Sequence, residues 1–163
     1  MLSGETASGK YPVEAVAFMA ATAEQAEKDI NYNKKFKDSN FKIKNTLDAI
    51  SHSACSMAID VKARAIIVNS MSGRTARMVS RFRCPVTILG MTTDEGAWRR
   101  LNLSWGVTPI LCEEFTSMEV IFYTAMIQAK KVLKLEKGDH VVLTGGQING
   151  KSGNTNVIKV ETI

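Results

Sequence analysis

Read from its amino acids, the chain is an α/β protein of three layers, α/β/α, with a mostly parallel five-stranded sheet and an antiparallel last strand. Three observations carry this expectation. Short runs rich in Ile and Val alternate with longer stretches whose apolar residues recur every three or four positions, as in βα units whose sheet is covered on both faces. The last two apolar runs are separated by about ten residues, too few for a parallel crossover, so the final strand should run antiparallel at an edge. With 163 residues, 45% hydrophobic and 23% charged, there is material for one ordinary core, which favours a single compact domain with an N-terminal extension.

The elements follow in order. Pro12 opens a helix over residues 13–30, in which Val16, Ala20, Ala23 and Ala26 share a face. Residues 33–44 hold Lys34, Lys35, Lys37, Lys42 and Lys44 around Phe36 and Phe41, and read as a solvated connector between helices. A second helix starts at Asn45 or Thr46 and keeps Leu47, Ile50, Ala54, Met57, Ala58 and Val61 on one stripe. Residues 65–69 form a short buried strand, 74–82 a helix, and 86–92 a strand entered after Pro85. Residues 94–103 make a short helix and 107–112 a strand. Thr116 and Glu119 have the spacing of a capping box, opening a helix that runs to about Leu135. Gly138 and Asp139 then turn the chain into a strand over 140–145, and 156–162 forms the last one.

Composition excludes several function classes. No run approaches the ~20 apolar residues of a membrane helix, and the start lacks a basic, apolar leader pattern, so the expectation is a soluble, cytoplasmic protein with no membrane partner. Cys55, Cys84 and Cys112 are odd in number, far apart and accompanied only by His52 and His140, which reads as reduced, mostly buried thiols and no metal site. No Gly-x-Gly-x-x-Gly fingerprint is present, and Trp98 and Trp105 have no pattern for base stacking and read as packing residues. The net charge of +5 raises anions or nucleic acid as partners. The lysine segment is the best case for nucleic acid, yet such mixtures in a connector are more often simply solvated, and nucleic acid is not the favoured partner.

The stretch that could carry chemistry is Asn69-Ser70-Met71-Ser72-Gly73-Arg74-Thr75. It leaves an apolar strand and enters a helix, so its amides point outward at the positive end of a helix dipole, a geometry that collects anions. Ser70, Ser72 and Thr75 add hydroxyls, Gly73 lets backbone approach a ligand, and Arg74 offers a forked, permanently charged donor. The bland alternative is that Ser72 caps the helix and Arg74 is solvated. Arg77, Arg81 and Arg83 follow at partly helical spacing and either extend the anion site or line a charged helix face.

Three groups of residues, in this order, resemble the pyruvate kinase family. They are Leu2, Ser3, Gly4, Glu5, Thr6, Ala7, Gly9, Tyr11, Pro12, Glu14, Ala15 and Val16; then Ser72 to Arg77 with Ser80, Arg83 and Pro85; then Leu143-Thr144-Gly145 through Ser152-Gly153, Thr155-Asn156 and Ile158-Lys159-Val160. The resemblance implies that residues 1–30 are the last strand-helix unit of a catalytic (β/α)₈ barrel, 31–45 a linker, and 46–163 the family's C-terminal α/β domain. It implies a phosphorylated effector held by Ser70, Ser72, Gly73, Arg74 and Thr75, with a second wall at Gly145, Gly146, Lys151, Ser152 and Gly153. Met71 departs from the Lys of some bisphosphate-activated relatives, and the second wall lacks their Trp and Arg; Lys151 could replace that charge. Ser3 and Glu5 would be remnants of the barrel rim. The catalytic set would otherwise be absent, as would metal ligands, so the chain is expected to be inactive, while the parent enzyme would need Mg²⁺ and possibly K⁺. The implied partners are the barrel domain and further copies, through the C-terminal domain. A free-standing anion- or nucleic-acid-binding module is the second reading.

Overall fold

The computed structural model describes residues 2–113, 117–146 and 155–163. Its centre is a five-stranded sheet of β1 (Ala65–Asn69), β2 (Thr87–Thr92), β3 (Val107–Leu111), β4 (His140–Gly146) and β5 (Thr155–Thr162), in the order β3-β2-β1-β4-β5. The first four are parallel and β5 runs antiparallel to β4 at the edge, as expected from the short connection before it. β3 forms the other edge and carries Pro109, which cannot donate to a further strand.

Period-two alternation divides the apolar residues of the central strands between two cores. Ile66, Val68, Ile88 and Val142 face one cluster; Ala65, Ile67, Leu89, Val141 and Leu143 face the other. Helices α4 (Thr46–Asp60) and α5 (Arg74–Arg81) cover the first face through Ala54, Cys55, Ala58, Ala76 and Val79. Helix α7 (Met118–Leu133) covers the second with Ala125 and Ala129. The short α6 (Glu95–Leu101) sends Leu101 into the first core, where a Cβ on Gly90 would come within 3.2 Å of it.

Side-chain caps start the helices where the sequence places them, with one correction. Asn45 Oδ1 accepts from the Asp48 amide at 2.9 Å, and Asp94 Oδ1 from Ala97 at 2.5 Å. For α7 the cap is Ser117, whose hydroxyl accepts from the Val120 amide at 3.2 Å, and Thr116 lies outside the described residues. Hydrogen bonds from its own amide and from the Ser117 hydroxyl hold the Glu119 carboxyl below its ordinary value. The box is thus displaced by one residue at its first member.

The lysine segment differs from expectation. It forms helix α3 (Tyr32–Asp38), capped by Asn31 Oδ1 on the Lys34 amide at 2.9 Å. Helical spacing turns Lys34, Lys35 and Lys37 outward and buries Phe36. Phe36 stacks on His52 at 5.2 Å between ring centroids, and Phe41 meets Phe82 edge-on at 4.8 Å. Two aromatic rings therefore dock a segment whose composition is otherwise that of a loop.

Upstream lie α1 (Gly4–Ser8) and α2 (Pro12–Lys28). Where a strand remnant and turn were expected, residues 4–8 close a helical turn through Ala7 N–H to Ser3 O at 3.1 Å. A strand without a neighbour leaves its backbone groups unpaired, whereas a helical turn pairs them locally. No residue of α2 is buried, and Val13 and Phe18 are about three-quarters exposed, at 75% and 76%. Its C-terminal end is fastened: Glu27 Oε1 accepts from Trp105 Nε1 at 3.0 Å and Tyr32 Oη at 3.3 Å, and the Tyr32 and Trp105 rings lie 4.9 Å apart. Burial and the Glu27 carboxylate push the Tyr32 phenol above its ordinary value.

If α3 is docked by its aromatics, Phe41→Ala should lower unfolding stability in urea by about 2–4 kcal/mol. The triple change Lys34→Ala, Lys35→Ala, Lys37→Ala should stay within about 0.5 kcal/mol per site. Equal effects would mean the segment does not pack.

Candidate anion-binding site

The order of strands reverses at β1. From β1 the chain moves outward to β2 and β3, then returns to place β4 on the other side of β1. A crevice outside the carboxyl ends of two such strands is where open α/β sheets bind ligands. Val68 pairs with Thr144, which sets Asn69 against Gly145, and a Cβ on Gly145 would lie 3.2 Å from the Asn69 Cβ. Glycine is needed there so that the two strand ends, and the segments leaving them, can sit side by side.

The loop after β1 is pinned from several directions. The Ser70 amide donates to Met91 O at 3.0 Å, and Thr92 Oγ1 donates to Met71 O at 2.6 Å while accepting from the Asp94 amide at 3.2 Å. Gly73 N–H to Ser70 O, at 3.2 Å, closes a tight turn. Gly73 then occupies the left-handed region, φ 71°, as the cap of α5, with Leu101 atoms 3.2 Å from where a Cβ would stand.

The five expected ligand residues divide into two groups. Ser72 and Arg74 are exposed at the start of α5, and Ser70 is half-buried, its hydroxyl accepting from the Thr75 amide at 3.4 Å. Gly73 and Thr75 are buried and hold the loop together. Gly73, not Ser72, is the cap residue, without a side-chain cap bond. Thr75 Oγ1 lies 2.6 Å from Thr155 Oγ1, the first residue of β5. Gly145 and Gly146 end β4, whereas Lys151, Ser152 and Gly153 lie outside the described residues.

The trailing arginines belong mostly to the fold. Arg81 reaches the buried carboxylate of Asp48 at 3.4 Å and lies over the Phe82 ring; Arg83 lies over Trp105 at 5.1 Å. Both are thus engaged by the fold, and Arg77 is left exposed one turn into α5. Ser3 is the cap residue of α1 without a side-chain cap bond, and Glu5 Oε1 accepts from the Tyr11 amide at 2.7 Å. Among the described residues, no three His, Cys, Asp or Glu side chains gather as a metal site would require.

Cys55 and Cys84 are free and buried on α4 and just before β2, and Cys112 is free and partly buried. A hydrogen bond between Cys55 and Cys84, together with burial, pushes the Cys55 thiol up; the same bond lowers Cys84. Burial raises Cys112.

Sequence reasoning missed three residues and one spacing. Among the described residues Asn69 Nδ2 is a buried donor without a hydrogen-bond partner, at the lip of the crevice. Thr92 and Thr155 brace the loop from neighbouring strands, and single threonines give no sequence signal for that. Residues 145–152, Gly-Gly-Gln-Ile-Asn-Gly-Lys-Ser, have the Gly-x-x-x-x-Gly-Lys-Ser spacing of a nucleotide P-loop. That motif requires a helix after it, and the described chain resumes at Thr155 as a strand, so the context of a P-loop is not met.

The sequence matches the family described as "Pyruvate kinase, alpha/beta domain" over residues 48–161. It is similar to the pyruvate kinase of Clostridium acetobutylicum, 42% identical over all of this chain and 35% of that protein. It is also similar to pyruvate kinase 2 of Synechocystis sp., 40% identical over all of this chain and 27% of that protein. The pyruvate kinase of Sporosarcina psychrophila is 35% identical, again over the whole chain and 28% of its own length. The chain therefore spans 27% to 35% of the length of these relatives.

The left-handed cap gives a specific expectation. Gly106 also has positive φ, 67°, but open space around it, so Gly106→Ala should cost about 1–2 kcal/mol from backbone strain alone. Gly73→Ala adds contact with Leu101 and should cost about 2–5 kcal/mol. Equal losses in denaturant melts would show that the Leu101 contact does not constrain the loop.

Proposed function

Since the chain belongs to the pyruvate kinase family as its C-terminal α/β domain, we propose that it is the regulatory and oligomerisation domain of such an enzyme and binds a phosphorylated small-molecule effector. The observation that carries this reading is the pinned loop 70–75 at the strand-order reversal. Ser72 and Arg74 are exposed there, near Asn69 Nδ2, which has no hydrogen-bond partner among the described residues. A buried donor without an acceptor is an unusual expense in a folded chain, and a ligand oxygen would relieve it. Arg74 supplies the charge and the bidentate geometry for one phosphate group, and the positive end of the α5 dipole adds to its attraction.

The parent enzyme, on this reading, transfers a phosphoryl group from phosphoenolpyruvate to ADP, giving pyruvate and ATP in glycolysis in the cytoplasm. Its barrel would cover the exposed apolar side chains of α2, among them Val13, Val16 and Phe18. Effector occupancy would bias that barrel through one coupling free energy shared by two sites. The Mg²⁺ and possible K⁺ of the parent would belong to its barrel; among the described residues no three His, Cys, Asp or Glu side chains gather. No helix among the described residues is long and apolar enough to cross a membrane.

Thermal stabilisation by fructose 1,6-bisphosphate, ribose 5-phosphate, AMP and sulfate tests the effector site. One of the phosphorylated compounds should stabilise the chain by about 2.7 kcal/mol at a hundredfold excess over Kd, and Arg74→Ala should abolish this. Loss on removing Lys34, Lys35 and Lys37 instead, with steep salt dependence towards oligonucleotides, would favour the nucleic-acid module. No stabilisation by any compound would overturn effector binding.

Phosphoryl transfer depends on positioned charges that Ser3 and Glu5 do not supply. The 163-residue chain, mixed with phosphoenolpyruvate, ADP, Mg²⁺ and K⁺, should form no pyruvate above a protein-free blank. Measurable turnover removed by Glu5→Gln would contradict the regulatory assignment.

A further inference from the structure

We propose that Thr155 is a positioning residue for the phosphate loop: its buried hydroxyl donates to Thr75 Oγ1 and so aims the Thr75 proton at a phosphate oxygen of the ligand. The inference rests on the effector-binding reading and says how one part of that site is set.

The two hydroxyls lie 2.6 Å apart and are separated by 80 residues in sequence. Thr75 is 3% exposed and Thr155 6%, so neither exchanges this contact for water. Two facing hydroxyls carry two protons, and one of them occupies the line between the oxygens. The other proton needs an acceptor, and neither side chain has a second hydrogen-bond partner among the described residues. A buried hydroxyl proton with no acceptor costs free energy, so a further oxygen nearby is favoured.

The surroundings decide which threonine carries the spare proton when an anion binds. Thr75 stands in the first turn of α5, beside Arg74, where the helix dipole and the guanidinium draw a negative oxygen. Thr155 sits on β5 opposite Gly146, beside a break in the regular register at Gly145 and Gly146. An anion on the α5 side therefore favours the order Thr155 O–H to Thr75 O, then Thr75 O–H to phosphate. Donors linked in this way polarise one another, and the outer proton becomes the stronger donor. The Thr75 amide is already held by Ser70 Oγ, so hydroxyl and amide of one residue are both set by neighbours before a ligand arrives.

The experiment is inorganic phosphate titrated into the 163-residue chain, as wild type, Thr155→Val, Thr155→Ser, Thr75→Val and the double valine variant, with melting temperatures recorded alongside. Thr155→Val should weaken phosphate about tenfold, because the charge-assisted bond from Thr75 is no longer aimed, while Thr155→Ser stays within about twofold of wild type. The double variant should bind no more weakly than Thr75→Val, because Thr155 acts through Thr75. Unchanged phosphate affinity in a folded Thr155→Val, whatever its melting temperature, would overturn the relay and leave effector binding intact. If wild type shows no saturable phosphate binding, effector binding and the relay fall together. Should Thr155→Val not fold, proton exchange of the Thr75 hydroxyl in wild type, followed by NMR, decides: slowing on phosphate addition supports the relay, and no change overturns it.

Discussion

Strand β1 is packed on both faces and paired on both edges, and the rest of the domain is arranged around that condition. Ala65, Ile66, Ile67 and Val68 are fully buried, two on each face, so the strand must have helices above and below and strands to either side. A strand enclosed in this way opens to solvent only at its ends. Its carboxyl end meets that of β4 in register, which brings residues 69–75 and 145–146 together although they are about seventy positions apart. The candidate site is a consequence of this pairing more than of any property of the loop.

The loop itself is held where it is buried, and Arg74 is exposed at the start of α5. Bonds with Met91 and Thr92 fix its backbone from β2, Thr155 on β5 meets the Thr75 hydroxyl, and Gly73 supplies the left-handed turn that starts α5 beside Leu101. Ser72 and Arg74 are then presented outward with little freedom left in the backbone beneath them, the condition under which a charged hydrogen bond to a ligand costs least to form.

The N-terminal third follows a different logic. Phe36, Phe41, His52 and Phe82 form one aromatic cluster that ties α3 to the first core, and the Trp105, Tyr32 and Glu27 contact fastens the end of α2. Beyond that contact α2 lies with its apolar residues in water. Ser80 near the far end of α5 from loop 70–75, and Arg83 just beyond that helix, also touch Trp105. The helix that begins at the candidate site thus ends on the residue that holds α2, which gives the site a physical connection to the part of the chain where a barrel would dock. Such a connection is one route for coupling and becomes a mechanism once both ends are seen to bias it.

Apolar periodicity and local chemistry in the amino acids were enough for the strands, the helices of the α/β core, the antiparallel final edge and the place of loop 70–75 between β1 and α5, because each depends on neighbours within a few residues. The spacing of Ser72, Gly73 and Arg74 between a buried run and a helix already implied outward donors. What depended on distant partners could not be read in this way. Residues 31–45 have a loop's composition, and two aromatic rings finding His52 and Phe82 turned part of it into a packed helix. Arg81 looked available for an anion until α4 placed Asp48 beside it. Thr75 offers a hydroxyl in the sequence, and only β5 shows that Thr155 stands against it. A lone polar side chain becomes a binding group, a brace or a salt-bridge partner according to what the fold sets within about 3 Å of it, and that distance is a property of the sheet order and register.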